Sequence, residues 1–351
     1  MTCDVIIVGQ GISGSVLALA FIKAGYKVHV IDAPLLSSCS KVAAGIWNPV
    51  VFKRLTKSWL ADDVVPELNT FYKYAEALLG VPLIHQRHIL KSFTEEQEKN
   101  LWLKKAGTEN RFLDPLVYHD LKLTESDILP DYSKVLQAGN LDVATFLEHT
   151  KNYLLAGNHL WEEPFDHAAL EHAGTPISYK TLKASAIVFC EGHLVSKNPF
   201  FNDLPMKPAK GEVLTIQCEG LTLTQDILNK GIFILPLGNH LFKVGATYEW
   251  ENLDDLPTEK ARAELVKKLD SVIHVPYRIM KQEAGVRPAV IDRRPVIGAH
   301  RELRNYYIFN GFGTKAVMLA PYFSEKFIKH YQSSTEFEAE INPNRFLGST
   351  N

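Results

Sequence analysis

Gly9, Gly11 and Gly14 stand at G-x-G-x-x-G spacing, and Asp32 follows at the distance expected of a ribose-binding carboxylate. Together these residue types suit a dinucleotide. Gly9 permits a tight turn, Gly11 lets a pyrophosphate approach the backbone, and Gly14 lets a helix pack closely on the preceding strand. Ile12 and Ser13 open that helix, whose first N–H groups and partial positive charge favour phosphate. Asp32 can accept hydrogen bonds from ribose hydroxyls.

The elements that would place these groups are readable nearby. Val5 to Val8 is a short apolar run, as expected of a strand buried on both faces of a parallel sheet. Val16, Leu17, Ala20 and Phe21 recur at helical spacing, and Gly25 marks a stop. Lys27 to Ile31 reads as a second strand that ends in Asp32. An ordinary strand–turn–helix with incidental glycines would not require that terminal carboxylate.

The chain has 351 residues, enough for two domains or one large α/β unit. Hydrophobic residues are 46% and charged residues 22%, the balance of a soluble globular protein. With 38 Lys and Arg against 40 Asp and Glu, the net charge is −2, which disfavours nucleic acid as the main partner. The four cysteines form no C-x-x-C pair, so a reduced, cytoplasmic chain is expected. The apolar run Ser15 to Ile22 is too short to cross a membrane and lacks a basic n-region, so no integral membrane segment is expected. His85 and His88 lack a completing set of ligands, so no metal site is expected.

After Asp32 comes a stretch of small residues, Ser37, Ser38, Ser40, Ala43, Ala44 and Gly45, followed by Asn48 and Pro49. Further on stand Gly139 to Asp142, the strand Ala186 to Phe189 leading to Gly192, and Pro208-x-x-Gly211-x-Val213. Pro236 and Gly245-Ala246-Thr247 follow. Gly285, Arg287, Pro288, Asp292, Pro295 and Gly298 then fit G-x-R-P-x-x-x-D-x-x-P-x-x-G. Asn310 to Pro321 reads as a strand, a glycine turn with Gly311 and Gly313, and a helix. In order and spacing the chain resembles the FAD enzymes of the D-amino-acid oxidase, glycine oxidase and sarcosine oxidase family. Two departures are Cys190-Glu191 before Gly192, where the family has a small residue, and Asp32 in place of its more usual Glu.

The resemblance implies an α/β fold: a discontinuous, Rossmann-like FAD-binding domain beside a substrate domain of mixed β-sheet plus helix. The corresponding division is 1–80, 139–205 and 283–335 for FAD, 81–138 and 206–282 for substrate, and a polar, mobile tail at 336–351. It implies FAD held non-covalently, because no cysteine lies between Gly285 and Pro321. Ala43, Ala44, Gly45, Gly192, Gly311, Gly313, Thr314 and Lys315 would join the N-terminal glycines around it.

Arg287 would grip a substrate carboxylate, for which a guanidinium fork is suited; its structural alternative is an ion pair with Asp292. Lys243 would assist reaction with oxygen near flavin N5, although a solvated strand lysine is the plainer reading. Tyr248, or Trp250, would wall the substrate pocket. The expected activity is oxidation of the C–N bond of a small amine or amino acid by hydride transfer to flavin N5, with oxygen or a quinone as acceptor. Two alternatives stand beside it: oxidative removal of a carboxymethyl group from a modified tRNA wobble uridine, and a flavin-binding protein without turnover.

Overall fold

The computed structural model describes residues 1–33, 38–171 and 176–346. Ser37 and residues 347–351 of the tail lie outside them.

Two sheets organise the chain. The first begins with strand β1 (Thr2–Val8), helix α1 (Ile12–Lys23) and strand β2 (Val28–Asp32). Strand β1 pairs in parallel with β2 on one side and with Leu182–Phe189 on the other. Leu160–Glu162 extends the sheet beyond β2, and Tyr306–Asn310 lies parallel to Leu182–Phe189. Val5, Ile6 and Ile7 are fully buried, which explains their unbroken apolar run. Helix α1 packs on the C-terminal helix Ala316–Ser333 through Phe21, whose ring meets Phe327 and Tyr331 edge to face.

The second sheet runs in the order Arg278–Arg287, Ala209–Gln217, Leu241–Gly245, Phe233–Gly238, Ile227–Asn229, Ile84–Ser92, Ile128–Leu141, Ile46–Trp47. One face is covered by the helix Glu259–Asp270, which buries Ala261, Leu265 and Leu269. Thr258 caps that helix, accepting the Ala261 N–H at 3.2 Å.

Strand membership departs from the boundaries read in the sequence. Residues 139–141 complete the long strand Ile128–Leu141, and residues 283–287 complete Arg278–Arg287, both in the second sheet. The backbone ladder, continuous over Ala209 to Gln217 with one irregularity, carries Arg287 as the last residue of a strand in the second sheet. The tail also differs. Phe337 and Ile341 are buried, Ile341 accepts the Ile297 N–H, and Arg345 pairs with Asp292. The two apolar side chains, the backbone hydrogen bond and the ion pair together dock it.

Candidate FAD and substrate site

A cavity of about 1370 Å³ lies between the two sheets. Pockets for drug-sized ligands typically span roughly 300–1,000 Å³, so this larger space suits a dinucleotide with a further small molecule.

The end beneath the first sheet is built from the N-terminal motif. Gly9, with φ +100°, leaves no room for a side chain: a Cβ would sit 2.6 Å from the Cys190 carbonyl oxygen. A Cβ on Gly14 would meet the Gly9 carbonyl oxygen at 1.9 Å. Gly14 therefore serves the close packing of α1 on β1 and does not line the cavity, whereas Gly9, Gly11, Ile12 and Ser13 do. Helix α1 starts without a side-chain N-cap on Gly11, and the Ile12 N–H reaches Ser40 Oγ at 3.1 Å. Asp32 Oδ1 accepts the Gln10 N–H at 2.8 Å, which fixes the carboxylate at the cavity wall. Burial raises its pKa above the ordinary carboxylate value; the Gln10 N–H, Lys41 and Lys151 oppose that shift.

Ala43, Ala44 and Gly45 follow the short helix α2 (Cys39–Val42) and line the same cavity with Gly192, Gly313 and Thr314. Gly311 and Lys315 do not. Gly311 holds φ +77°, and a Cβ there would sit 2.6 Å from Val290 Cγ2, so its work is local packing. Lys315 turns away to donate to Ser58 Oγ at 3.2 Å. The two were read as cofactor contacts; neither wall of the cavity includes them.

The second sheet forms the other wall. Lys281, Glu283, Gly285 and Arg287 alternate along one strand and face the cavity. The period of two leading up to Arg287 is the signal that would have revealed Lys281 and Glu283. Lys243 lies near them on Leu241–Gly245. It is not a solvated lysine: it lines the cavity and donates to the Val42 carbonyl at 3.2 Å. Burial lowers its pKa, Lys281 adds to the effect, and Glu283 opposes it.

Arg287 is held by its surroundings and not by a carboxylate. Nη1 donates to the carbonyls of Lys210 at 3.3 Å and Thr247 at 3.2 Å, and Nη2 donates to Thr247 at 3.2 Å. The guanidinium lies 4.3 Å from the centre of the Tyr248 ring. Asp292, its expected structural partner, instead receives Arg345 Nε at 2.8 Å. Among the described residues no Asp or Glu pairs with Arg287. The cavity thus joins the glycine turn at the start of α1 and the Asp32 carboxylate to the Arg287 guanidinium.

The family model "FAD dependent oxidoreductase" (DAO) matches residues 4–328. The chain belongs to this family of FAD-dependent oxidoreductases. The oxidoreductase is 23% identical to glycine oxidase of Bacillus subtilis over 359 residues, covering 91% of this chain and 90% of that one. It is 24% identical over 353 residues to the tRNA 5-methylaminomethyl-2-thiouridine biosynthesis bifunctional protein MnmC of Idiomarina loihiensis, covering 92% of this chain and 54% of the relative. Its fold matches the crystal structure of iminodiacetate oxidase from Chelativorans sp. BNC1 with TM-score 0.79 at 15% identity, over 97% of this chain and all of the other.

The residues present fit FAD. The Gly9–Ser13 turn would hold the pyrophosphate, Asp32 the ribose, and the Ala43–Gly45 loop with Gly313 and Thr314 the remainder. Cys39 and Cys190, both on the cavity wall, were not anticipated there. Burial raises the Cys39 pKa to about 11 and that of Cys190 well above its ordinary value, so both remain neutral thiols at pH 7.

Proposed function

We propose that the oxidoreductase oxidises the C–N bond of a small amine or amino acid bearing a carboxylate. The observation that carries this reading is the Arg287 guanidinium, fastened at the cavity wall with no Asp or Glu partner among the described residues. Two parallel N–H···O bonds from such a group fix a carboxylate in direction as well as position. The protein's contribution is that placement. Bound FAD supplies the two-electron acceptor. The substrate leaves as an imine, which water hydrolyses to an oxo compound and an amine or ammonia.

The test is anaerobic mixing of the holoenzyme with glycine, N-methylglycine, D-alanine and L-proline. Bleaching of the visible flavin band by a carboxylated amine supports the reading. A flavin that no member of a broad amine panel reduces points instead to a binding protein without turnover. Reoxidation of the reduced enzyme by air or by a quinone then identifies the acceptor. Acid denaturation should leave the flavin in the supernatant, since we propose that FAD is held without a covalent link.

A second reading uses the same arginine on a secondary amine of a modified tRNA base, with release of its carboxymethyl group. Its support is the similarity to the bifunctional tRNA-modifying relative across 92% of this chain. The net charge of −2 weighs against it. A gel shift with tRNA that weakens steeply with salt would favour this reading, because phosphate contacts release counterions.

A further inference from the structure

Lys210 and Glu212 are buried charges on the strand Ala209–Gln217, 1% and 3% exposed. Gly211, Val213 and Thr215 of that strand line the cavity, so by its period of two Lys210 and Glu212 point to the opposite face. There they meet residues 247–258, a strap that forms no helix or strand beyond a single bridge at Glu249. Lys210 Nζ donates to Asp254 Oδ1 at 2.6 Å and to the Leu256 carbonyl at 2.5 Å. Glu212 accepts the Thr258 N–H at 2.9 Å, the Thr258 hydroxyl at 2.8 Å and Gln282 Nε2 at 2.8 Å. Gln282 lies on the arginine's own strand, Arg278–Arg287. The two charges thus pin the far end of the strap. Backbone bonds pin its near end, joining Thr247 to Glu212, and Glu249 to Lys210 in both directions.

Taking a lysine and a glutamate out of water is costly, and apolar residues of similar volume often serve stability as well. What this pair fixes is direction. Arg287 rests on the carbonyls of Lys210 and Thr247, and both belong to the fastened unit. Nη1 reaches both carbonyls and Nη2 reaches that of Thr247. A guanidinium has five N–H donors. The Nε–H and the second Nη2–H, which share one edge of the plane, are therefore left without a hydrogen bond among the described residues.

We propose that Lys210 and Glu212 are positioning residues for Arg287. By fastening the strap they hold the two carbonyls against the outer N–H groups, so that the Nε–Nη2 edge is the one offered to the substrate carboxylate. The proposal rests on the assignment of that carboxylate to Arg287.

The experiment is anaerobic flavin reduction of the FAD-loaded protein by the best carboxylated amine among glycine, N-methylglycine, D-alanine and L-proline, and by the same amine without its carboxylate. Lys210→Met and Asp254→Ala are measured alone and combined with Arg287→Met. Asp254 has 41% of its side chain exposed, so truncating it loosens the strap without opening a buried hole. Each variant should raise the half-saturating concentration of the carboxylated amine about fivefold or more, with the limiting reduction rate changed less. The uncarboxylated amine should be nearly indifferent. On the Arg287→Met background either change should cost less than about twofold more, because its route through the arginine is gone. Should Lys210→Met not fold, Asp254→Ala decides alone. Half-saturation at the parent's value in a folded variant overturns the positioning while leaving the arginine assignment standing. So does a loss that persists undiminished on the Arg287→Met background. If none of the four amines reduces the flavin, or Arg287→Met alone leaves half-saturation unchanged, the arginine assignment fails and the positioning with it.

Discussion

The guanidinium of Arg287 lies so close over Gly211 that a Cβ there would sit 1.8 Å from Nη2. Gly211 faces Gly285 across the sheet, two residues before the end of the arginine's strand. The absent side chain is therefore what lets the arginine lie flat against the sheet, beneath the Thr247 carbonyl and beside Tyr248. Since the colliding atoms are the tip of a flexible side chain, Gly211→Ala should displace the arginine and leave the fold intact. Its melting transition should stay close to that of the parent, while kcat/KM for a carboxylated amine falls about tenfold or more. An unchanged kcat/KM would show that the arginine's present position is immaterial.

Lys243 supplies a second test. Its ammonium is desolvated at the cavity wall with one carbonyl partner. We propose that this charge stabilises the anion formed when reduced enzyme meets oxygen, the electrostatic assistance a fixed cation gives in a dry site. Stopped-flow reoxidation of Lys243→Met should slow about tenfold or more, with substrate reduction of the flavin changed less. Because the folded pKa is lowered, the parent's fast reoxidation should fade at a lower pH than an ordinary lysine would give.

How much of this could be read in the sequence depended on whether the signal was local. The glycine turn, Asp32 and the Gly285-x-Arg287-Pro288 strand each carry their meaning within a few residues. That Lys243 is not a solvated strand lysine was hidden because Val42, the group that covers it, lies far away in sequence. Lys210 and Glu212 look like the solvent face of a strand; the strap and its following helix bury them. Lys315 stands in a glycine turn where a cofactor-facing role is reasonable, yet its side chain finds Ser58. The ring contacts at Tyr248 needed the Arg287 strand and the strap in one place, which no local pattern states.

Asp32 tests the cofactor end. A carboxylate already oriented by the Gln10 N–H should give charge-assisted hydrogen bonds to the ribose, each worth roughly 1.5–3 kcal/mol. Asp32→Ala should weaken FAD binding roughly tenfold to hundredfold, measured by flavin fluorescence on reconstitution of the apoprotein. Affinity within twofold of the parent would remove Asp32 from the site.

His29 predicts an acid-side loss of stability. It is 1% exposed, packs edge-on to Trp161 at 4.9 Å, and its Nε2 has no hydrogen-bond partner among the described residues. Burial, with a contribution from His159, lowers its pKa from 6.5 to about 4. Between those values the unfolded chain binds a proton that the folded chain refuses, so stability rises with pH across that window. The melting temperature should therefore fall as pH drops from 6.5 toward 4, and His29→Leu should flatten that part of the profile. An identical slope in the variant would assign the acid sensitivity to other groups.

The central claim is that Arg287 holds the substrate carboxylate, and Arg287→Met measures it most directly. Anaerobic flavin reduction should be compared for a matched pair of amines, one with and one without the carboxylate. Cutting one partner of a desolvated, hydrogen-bonded charge pair typically costs roughly 2–5 kcal/mol. The variant should therefore lose about 30-fold to several thousandfold in kcat/KM on the carboxylated amine, at about 1.4 kcal/mol per decade. It should keep its FAD and melting transition, with the uncarboxylated amine nearly indifferent. Arg287→Lys should recover only part, because an ammonium cannot make the two-pronged contact. An equal loss on both amines, or a variant that sheds FAD, would contradict the account.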